Sequence, residues 1–483
     1  MNSVRDGFDA VSRRLFFGHM ATGMCGVALT HLLGRTTRLP AATADELGQT
    51  AAQRLPDLKP KISHFAPRAK AVIQLFMHGG PSQVDLFDPK PLIRRYAGKK
   101  FQGDINVLSA EQAGGLLPTP FRFSHHGEAG IPVSEIMPHI AECVDDLTLI
   151  RSMHTGHINH EPALWMAHTG ATIPGRPSLP SWVIYGLGSE NENLPAFVVL
   201  DDERGLPING IQNWSAGWLP PIYQGTRFRS QGEPVWNLRP HRALSDEAIQ
   251  RRRNLLRRLD RVHRQERPGE PELDARISSY ELAARMQLAA TDALDLAQES
   301  QRTRSLYGLD KKVTESYGRR CLMARRLIER GVRYVQLYVD GQIWDNHGNL
   351  KKGLTENAAR TDKPVAALVK DLKARGLLDD TLVIWGGEFG RLPISQQKNG
   401  RDHNNDGFTI WMAGGGVKRG YIHGATDDFG YKAVEDRVSM HEFHATTLHL
   451  LGLDHESLSY PRHGLSERLT GVEHPRVVKQ LLA

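Results

Sequence analysis

Thr381-Leu382-Val383-Ile384-Trp385-Gly386-Gly387-Glu388-Phe389-Gly390-Arg391, followed after a short polar stretch by Gly400-Arg401-Asp402-His403-Asn404, is the most telling part of this chain. A threonine and four apolar residues closed by two glycines read as a short buried strand. The strand ends by presenting the carboxylate of Glu388, and the next loop adds an imidazole with a carboxylate beside it. Ligand sites of α/β proteins lie at the carboxyl ends of strands. Mixed oxygen and nitrogen donors there suit a hard or borderline divalent cation.

The same grammar recurs along the chain. Val72 to Met77 is an apolar run ended by His78-Gly79-Gly80-Pro81-Ser82-Gln83-Val84-Asp85. Leu147 to Ile150 leads into Ser152-Met153-His154-Thr155-Gly156-His157-Ile158-Asn159-His160-Glu161-Pro162. That segment enters a short helix over 162–168, with Gly170 suited to its C-terminal end. A strand over 332–339 runs into Asp340-Gly341-Gln342-Ile343-Trp344-Asp345-Asn346-His347. Further strands are expected at 196–200 and 408–412, and helices at 134–143 (with Ser134 as N-cap), 356–375 and 439–451. Strands separated by helices imply an α/β fold with a central, mostly parallel sheet flanked by helices. Between about 241 and 330 the pattern turns helical, marked by Leu255-Leu256-Leu259-Val262, and reads as a helical insertion.

Taken singly, each polar segment has an ordinary explanation. An Asp-x-His is commonly a solvated turn, and Glu388 could pair with Arg391 or Arg401. Four strand ends of one sheet carrying ligand-type residues is a different matter, and it points to a metal centre. Two other motifs read as structural. Gly414-Gly415-Gly416 lacks the spacing of a nucleotide loop, and His441, His444 and His449 fall along one ordinary helix.

Composition sets the frame. At 483 residues, 40% hydrophobic and 24% charged, the chain is an ordinary globular protein with room for a large core. Of the net charge of +7, residues 1–44 hold +3, from five arginines against two aspartates. The remaining +4 is too mild for a nucleic-acid partner. Ser12-Arg13-Arg14-Leu15-Phe16-Phe17 matches a twin-arginine export pattern, and Ala42-Thr43-Ala44 offers a cleavage site. Residues 1–44 are therefore expected to be a signal peptide, and 45–483 one domain. The expected destination is periplasmic or extracellular, reached through the twin-arginine machinery, with no stable membrane anchor after cleavage. That route carries folded proteins, often around a cofactor, which again favours a metal. Past the signal only Cys143 and Cys321 remain, and an oxidising compartment would allow them to pair.

The four segments from Phe76 to Asp85, Asn159 to Ala163, Gly386 to Arg391 and Gly400 to Asn404 resemble the signatures of an exported, sulfatase-like family. It is catalogued as domain of unknown function 1501, in the alkaline phosphatase superfamily, and the likeness runs from about Lys70 to Leu481. The resemblance implies an alkaline phosphatase/sulfatase-like fold with one or two divalent ions (Zn, Ca, Mn or Mg). It also implies hydrolysis of sulfate or phosphate esters of a small molecule or glycan. The expected ligands are His78, Asp85, Asp345, His347, Glu388 and His403, with Asp402 as a ligand or as the group orienting one. The expected catalytic residues are His160, Glu161, Thr155 and Arg391, with Arg401 as a second cation for substrate charge.

At the nucleophile the sequence departs from the pattern. Sulfatases carry Cys-x-Pro where this chain has His160-Glu161-Pro162, so formylglycine chemistry is not expected. Ser152 and Thr155 lie near the position without matching it. Three alternatives stay open: attack by an activated water, participation of His160, or a catalytically degenerate protein that binds a metal or glycan.

Overall fold

A computed structural model describes residues 57–202, 204–230, 245–267 and 270–483. The twin-arginine motif and its cleavage site lie outside the described residues. The main sheet is built from β1 (Ala71–Phe76), β2 (Leu147–His154), β3 (Phe197–Leu200), β4 (Thr226–Phe228), β5 (Tyr334–Tyr338), β6 (Thr381–Gly386), β7 (Phe408–Ala413), β8 (Tyr421–His423) and β9 (Val438–Ser439). Its order is β8-β2-β7-β6-β1-β5-β3-β4, with β9 also on β2. Among these strands only β7 runs against its neighbours, antiparallel to both β6 and β2. The α/β class with a mostly parallel central sheet is therefore the one expected from the alternation of strands and helices.

Every residue of β1 and β6 is buried, as strands covered on both faces must be. Side chains alternate between two core layers. Ile73 and Leu75 pack with Leu322, Leu327, Val365 and Leu368. Val72 and Phe76 pack with Trp182, Val183, Phe443 and Leu448 on the opposite face. The first layer rests on α5 (Lys312–Glu329) and α6 (Leu350–Ala374), and the second on α2 (Leu179–Leu187) and α7 (Met440–Leu450). Between β2 and α2 lies α1 (His160–Thr169), ended by Gly170 at φ +69. His441 and His444 of α7 bond through Nε2 to the carbonyls of Gly170 and Ala167, so they tie two helices together.

One expectation changes, and one open question is answered. Ser134 does not cap a helix over 134–143. It ends a strand, Ile131–Ser134, paired with Phe123–His126, and helix begins only at Pro138. Proline imposes the φ of a first helical turn, while the alternating Ile131-Pro132-Val133 suits an edge strand. Cys143 and Cys321 are both free and buried, in the same core layer. Burial pushes the Cys143 thiol up to about 12.

The stretch expected to be helical holds α3 (Asp246–Glu266) and α4 (Pro271–Leu294). The leucines of α3 do not face the core. Leu255, Leu256, Leu259 and Val262 are about half exposed, while Arg253, Arg257 and Arg264 reach Ala284, Glu281 and Asp274 of α4. The apolar periodicity marked the helix but not the face that packs. Among the described residues no helix is long and apolar enough to cross a membrane.

Candidate metal centre

Because β1, β5 and β6 are parallel and in register, with Phe76 opposite both Tyr338 and Gly386, their carboxyl ends share one edge of the sheet. The reversed β7 starts at that edge, so the loop before it delivers His403 to the same place. Six side chains meet there. His160, Asp345, His347 and His403 form one group of donor atoms lying within 4.8 Å of one another, and His78, His160 and Glu388 form a second. His160 belongs to both.

In the first group Asp345 Oδ1 lies 2.9 Å from His347 Nε2 and 3.2 Å from His403 Nε2. The two Nε2 atoms are 3.0 Å apart. Two ligands of one tetrahedral zinc, each about 2.0–2.1 Å from it, stand roughly 3.3 Å apart, so these spacings suit donors to a single cation. In the second group His160 Nδ1 is 2.6 Å from Glu388 Oε1, and His78 Nε2 is 4.0 Å from the same oxygen.

The outer partners decide which nitrogen is free. The carbonyl of Gly341 takes the Nδ1 proton of His78 at 2.7 Å, and that of Ile158 takes the Nδ1 proton of His403 at 2.7 Å. Gln396 Oε1 does the same for His347, while His160 turns Nδ1 to Glu388 and Nε2 to Asp345, one nitrogen toward each group. The imidazoles of His78, His347 and His403 are thereby held as the tautomer whose Nε2 carries a lone pair. His78 Nε2 is buried without a hydrogen-bond partner, an expensive state for a polar atom unless something is ligated, and His160 Nε2 has only Asp345 Oδ2, at 3.4 Å. The donor set and the orphaned His78 nitrogen fit a divalent cation with nitrogen and oxygen preference.

Electrostatics agree with that. Burial works to raise the Glu388 carboxyl, but His160 and His78 outweigh it and bring it down to about 2. Burial likewise opposes charge on Asp345, yet Arg391 and the histidines around it hold it far below the carboxylate range. Burial lowers His78, and takes His403 to about 4, so both are neutral donors. His160 is opposed by burial and still raised, to about 8, by its pairing with Asp345 and Glu388. Two nearly enclosed carboxylates are thus compensated by protons, which a bound cation displaces.

Other expected residues sit elsewhere. Asp85 is not in either group: both oxygens pair with Arg401, at 2.7 and 3.1 Å, in a fully buried bidentate bridge. That bridge also removes Arg401 from any contact with a substrate. Arg391 is fully buried and spends its donors on Asp345 Oδ1 at 2.5 Å and on the carbonyls of Gly79, Gly80 and Arg401. It orients a ligand and does not face solvent. Asp402 accepts the N–H groups of His403 and Leu108, so it shapes the loop behind His403. Glu161 is exposed on the first turn of α1, and Thr155 is buried with no partner for its hydroxyl among the described residues. Ser152 donates to the carbonyl of Asp436. His160 was expected as nucleophile, general base or oxyanion contact, and its side chain lies where the two groups of donor atoms meet.

Sequence reasoning missed Gln396, the carbonyls of Gly341 and Ile158, and Phe389, whose ring lies 4.8 Å from that of His160 and 4.5 Å from that of His403. Backbone acceptors leave no mark in a sequence. Phe389 did have one, its place directly after Glu388.

The first motif stitches the site together. Gly79 donates its N–H to both oxygens of Glu388, at 3.0 and 3.2 Å. Gln83 pairs with the backbone N–H and carbonyl of Arg391. Gly79 has φ +111, and a Cβ there would stand 2.6 Å from the backbone nitrogen of Asp345. Gly79→Ala is therefore expected to cost about 2 kcal/mol or more in urea unfolding, from backbone strain and the clash together. A loss below about 0.5 kcal/mol would show that the loop yields freely.

Residues 69–482 match the family described as "Protein of unknown function (DUF1501)". The chain belongs to that family. No curated protein matches it. Among solved structures it is similar to the lipoteichoic acid synthase LtaP from Listeria monocytogenes, at 9% identity over 86% of this chain and 78% of that one, with a TM-score of 0.34. It is similar to the PsFucS1 sulfatase from Pseudoalteromonas sp., at 10% identity over 80% and 68%, TM-score 0.34. A third is the C-terminal periplasmic domain of EcEptC from Escherichia coli, in complex with Zn, at 9% identity over 84% and 88%, TM-score 0.33.

Proposed function

We propose that this protein is an exported, metal-dependent hydrolase of sulfate or phosphate esters that works without a formylglycine nucleophile. The observation that carries the reading is His160 standing between two donor groups at one rim of the sheet. The second group is sealed, with His78 and Glu388 wholly buried. The first opens outward, since the side chain of His347 is 29% exposed and that of Asp345 19%. A sealed position suits structure, and an open one leaves room for a substrate oxygen.

A divalent cation there would act as a Lewis acid on the ester oxygens. The rest falls to the chain's own residues. Glu388 pairs with Nδ1 of His160 and fixes its ring. Arg391 keeps Asp345 ionised and aimed. His160 opens α1, whose first backbone N–H groups favour an anion. The two described cysteines lie in the core, which leaves none of them to mature into formylglycine at this rim.

The test is a screen of the purified, metal-loaded protein against aryl sulfates, phosphomonoesters and phosphodiesters. Hydrolysis of at least one class is expected, falling about 10³-fold or more in Glu388→Ala/His403→Ala, a loss on the scale of a missing catalytic group. Turnover that survives the double substitution would remove the proposal. Metal bound with no turnover on any class would favour the second reading, a degenerate metal- or glycan-binding protein. The observation behind that reading is the lack of a placed nucleophile: Thr155 is enclosed and Ser152 is engaged by a carbonyl.

A further inference from the structure

We propose that a cavity of about 390 Å³ between α5 and the loop after β5 is a binding site for an oxyanion, the sulfate or phosphate group of a small molecule. Its wall includes Arg204, Lys312, Tyr317, Arg320, Asp340 and Arg360. None of these belongs to the metal centre.

Charge is the first argument. Arg204 bridges Asp202 and Asp340, at 2.9 and 3.1 Å, and Arg320 pairs with Asp202 at 2.7 Å. Arg360 stands 3.6 Å from Asp340. Lys312 is exposed and forms no ion pair among the described residues. Among the described residues, four cations thus share two carboxylates, a surplus of two positive charges around one hollow. Guanidinium groups in a fork geometry match sulfate and phosphate oxygens.

The second argument concerns donors with nothing to bond. Tyr317 is 3% exposed, and its hydroxyl is buried without a hydrogen-bond partner. Arg320 is 1% exposed, and its Nε is buried and equally unpartnered, although its other nitrogens reach Asp201, Asp202 and Ser316. Buried donors left open cost stability. Neither atom has accessible surface of its own, so an acceptor-rich ligand would satisfy them by drawing these side chains toward the cavity. The site needs no hydrolysis to exist, so it stands apart from the proposed activity. Asp340 in its wall directly precedes Gly341, whose carbonyl bonds His78 Nδ1.

Calorimetric titration of the full chain with inorganic sulfate, inorganic phosphate and glucose 6-sulfate tests it. Saturable binding of at least one probe is expected. Lys312→Ala/Arg360→Ala, both at the rim, should weaken it about tenfold or more, and Tyr317→Phe, which removes a single oxygen, about threefold. Glu388→Ala/His403→Ala should leave that binding in place, which separates this site from the metal centre. Binding of inorganic ions means that the cavity takes free anions. Binding of glucose 6-sulfate alone means that it takes the charged group of a larger molecule. No saturable binding of any probe, binding indifferent to the rim variants, or binding lost only in the metal-centre variant overturns the proposal.

Discussion

Asp85→Ala is expected to destabilise the protein by about 3–5 kcal/mol, the cost of leaving a buried guanidinium without its counter-charge. Asp85 and Arg401 are wholly buried and joined by two hydrogen bonds across 316 positions of sequence. Arg401 also donates to the carbonyls of Leu392 and Leu117, so it cannot swing to water without abandoning those as well. Desolvation is what makes the number large. A pair exposed on the surface would be worth at most about 1 kcal/mol. Urea unfolding of the wild type and the variant measures it. Asp85→Leu/Arg401→Met should recover part of the loss, because removing both charges removes the penalty. A single-variant loss under 1 kcal/mol would mean that water reaches the pair. The effect matters for the site, since Arg401 lies two residues before His403 and sets the course of that loop.

His160→Ala is expected to abolish cation binding in both groups at once, measured as zinc or manganese retained after dialysis. Removing a partner behind a ligand costs about 10–100-fold in metal affinity, and removing a donor shared by two positions should exceed that. His347→Ala is the control. His347 belongs to the first group alone, so its loss should spare the cation held by His78, His160 and Glu388. A His160→Ala protein that keeps the wild-type metal content would show that the two groups do not share this imidazole. Urea unfolding of both variants accompanies the comparison, because removing His160 also leaves the buried Glu388 without its nearest partner.

Much of this was legible before any coordinates. The apolar runs 72–77, 147–150, 332–339 and 381–385 are strands because each is short, apolar and closed by glycine or a polar segment. Their carboxyl ends were expected to carry ligands, and His78, Asp345, His347, Glu388 and His403 do converge. Partner choice was not legible. Asp85 lies in the same motif as His78 and has a ligand's chemistry, yet its charge is taken by Arg401. Arg391 follows Glu388 by three residues, which suggested a salt bridge or a substrate contact, and it belongs to Asp345. The leucines of α3 had a helix's spacing and face outward.

By itself, then, the amino-acid order determined the alternation of strands and helices and the residues offered at each strand end, because periodicity and composition are local properties of a chain. Only the tertiary structure decided which carboxylate meets which cation, which nitrogen of each histidine is free, and that His160 stands between two donor groups. Those outcomes depend on distances of a few ångströms between residues far apart in sequence, and on burial, which strengthens a pair once water is excluded.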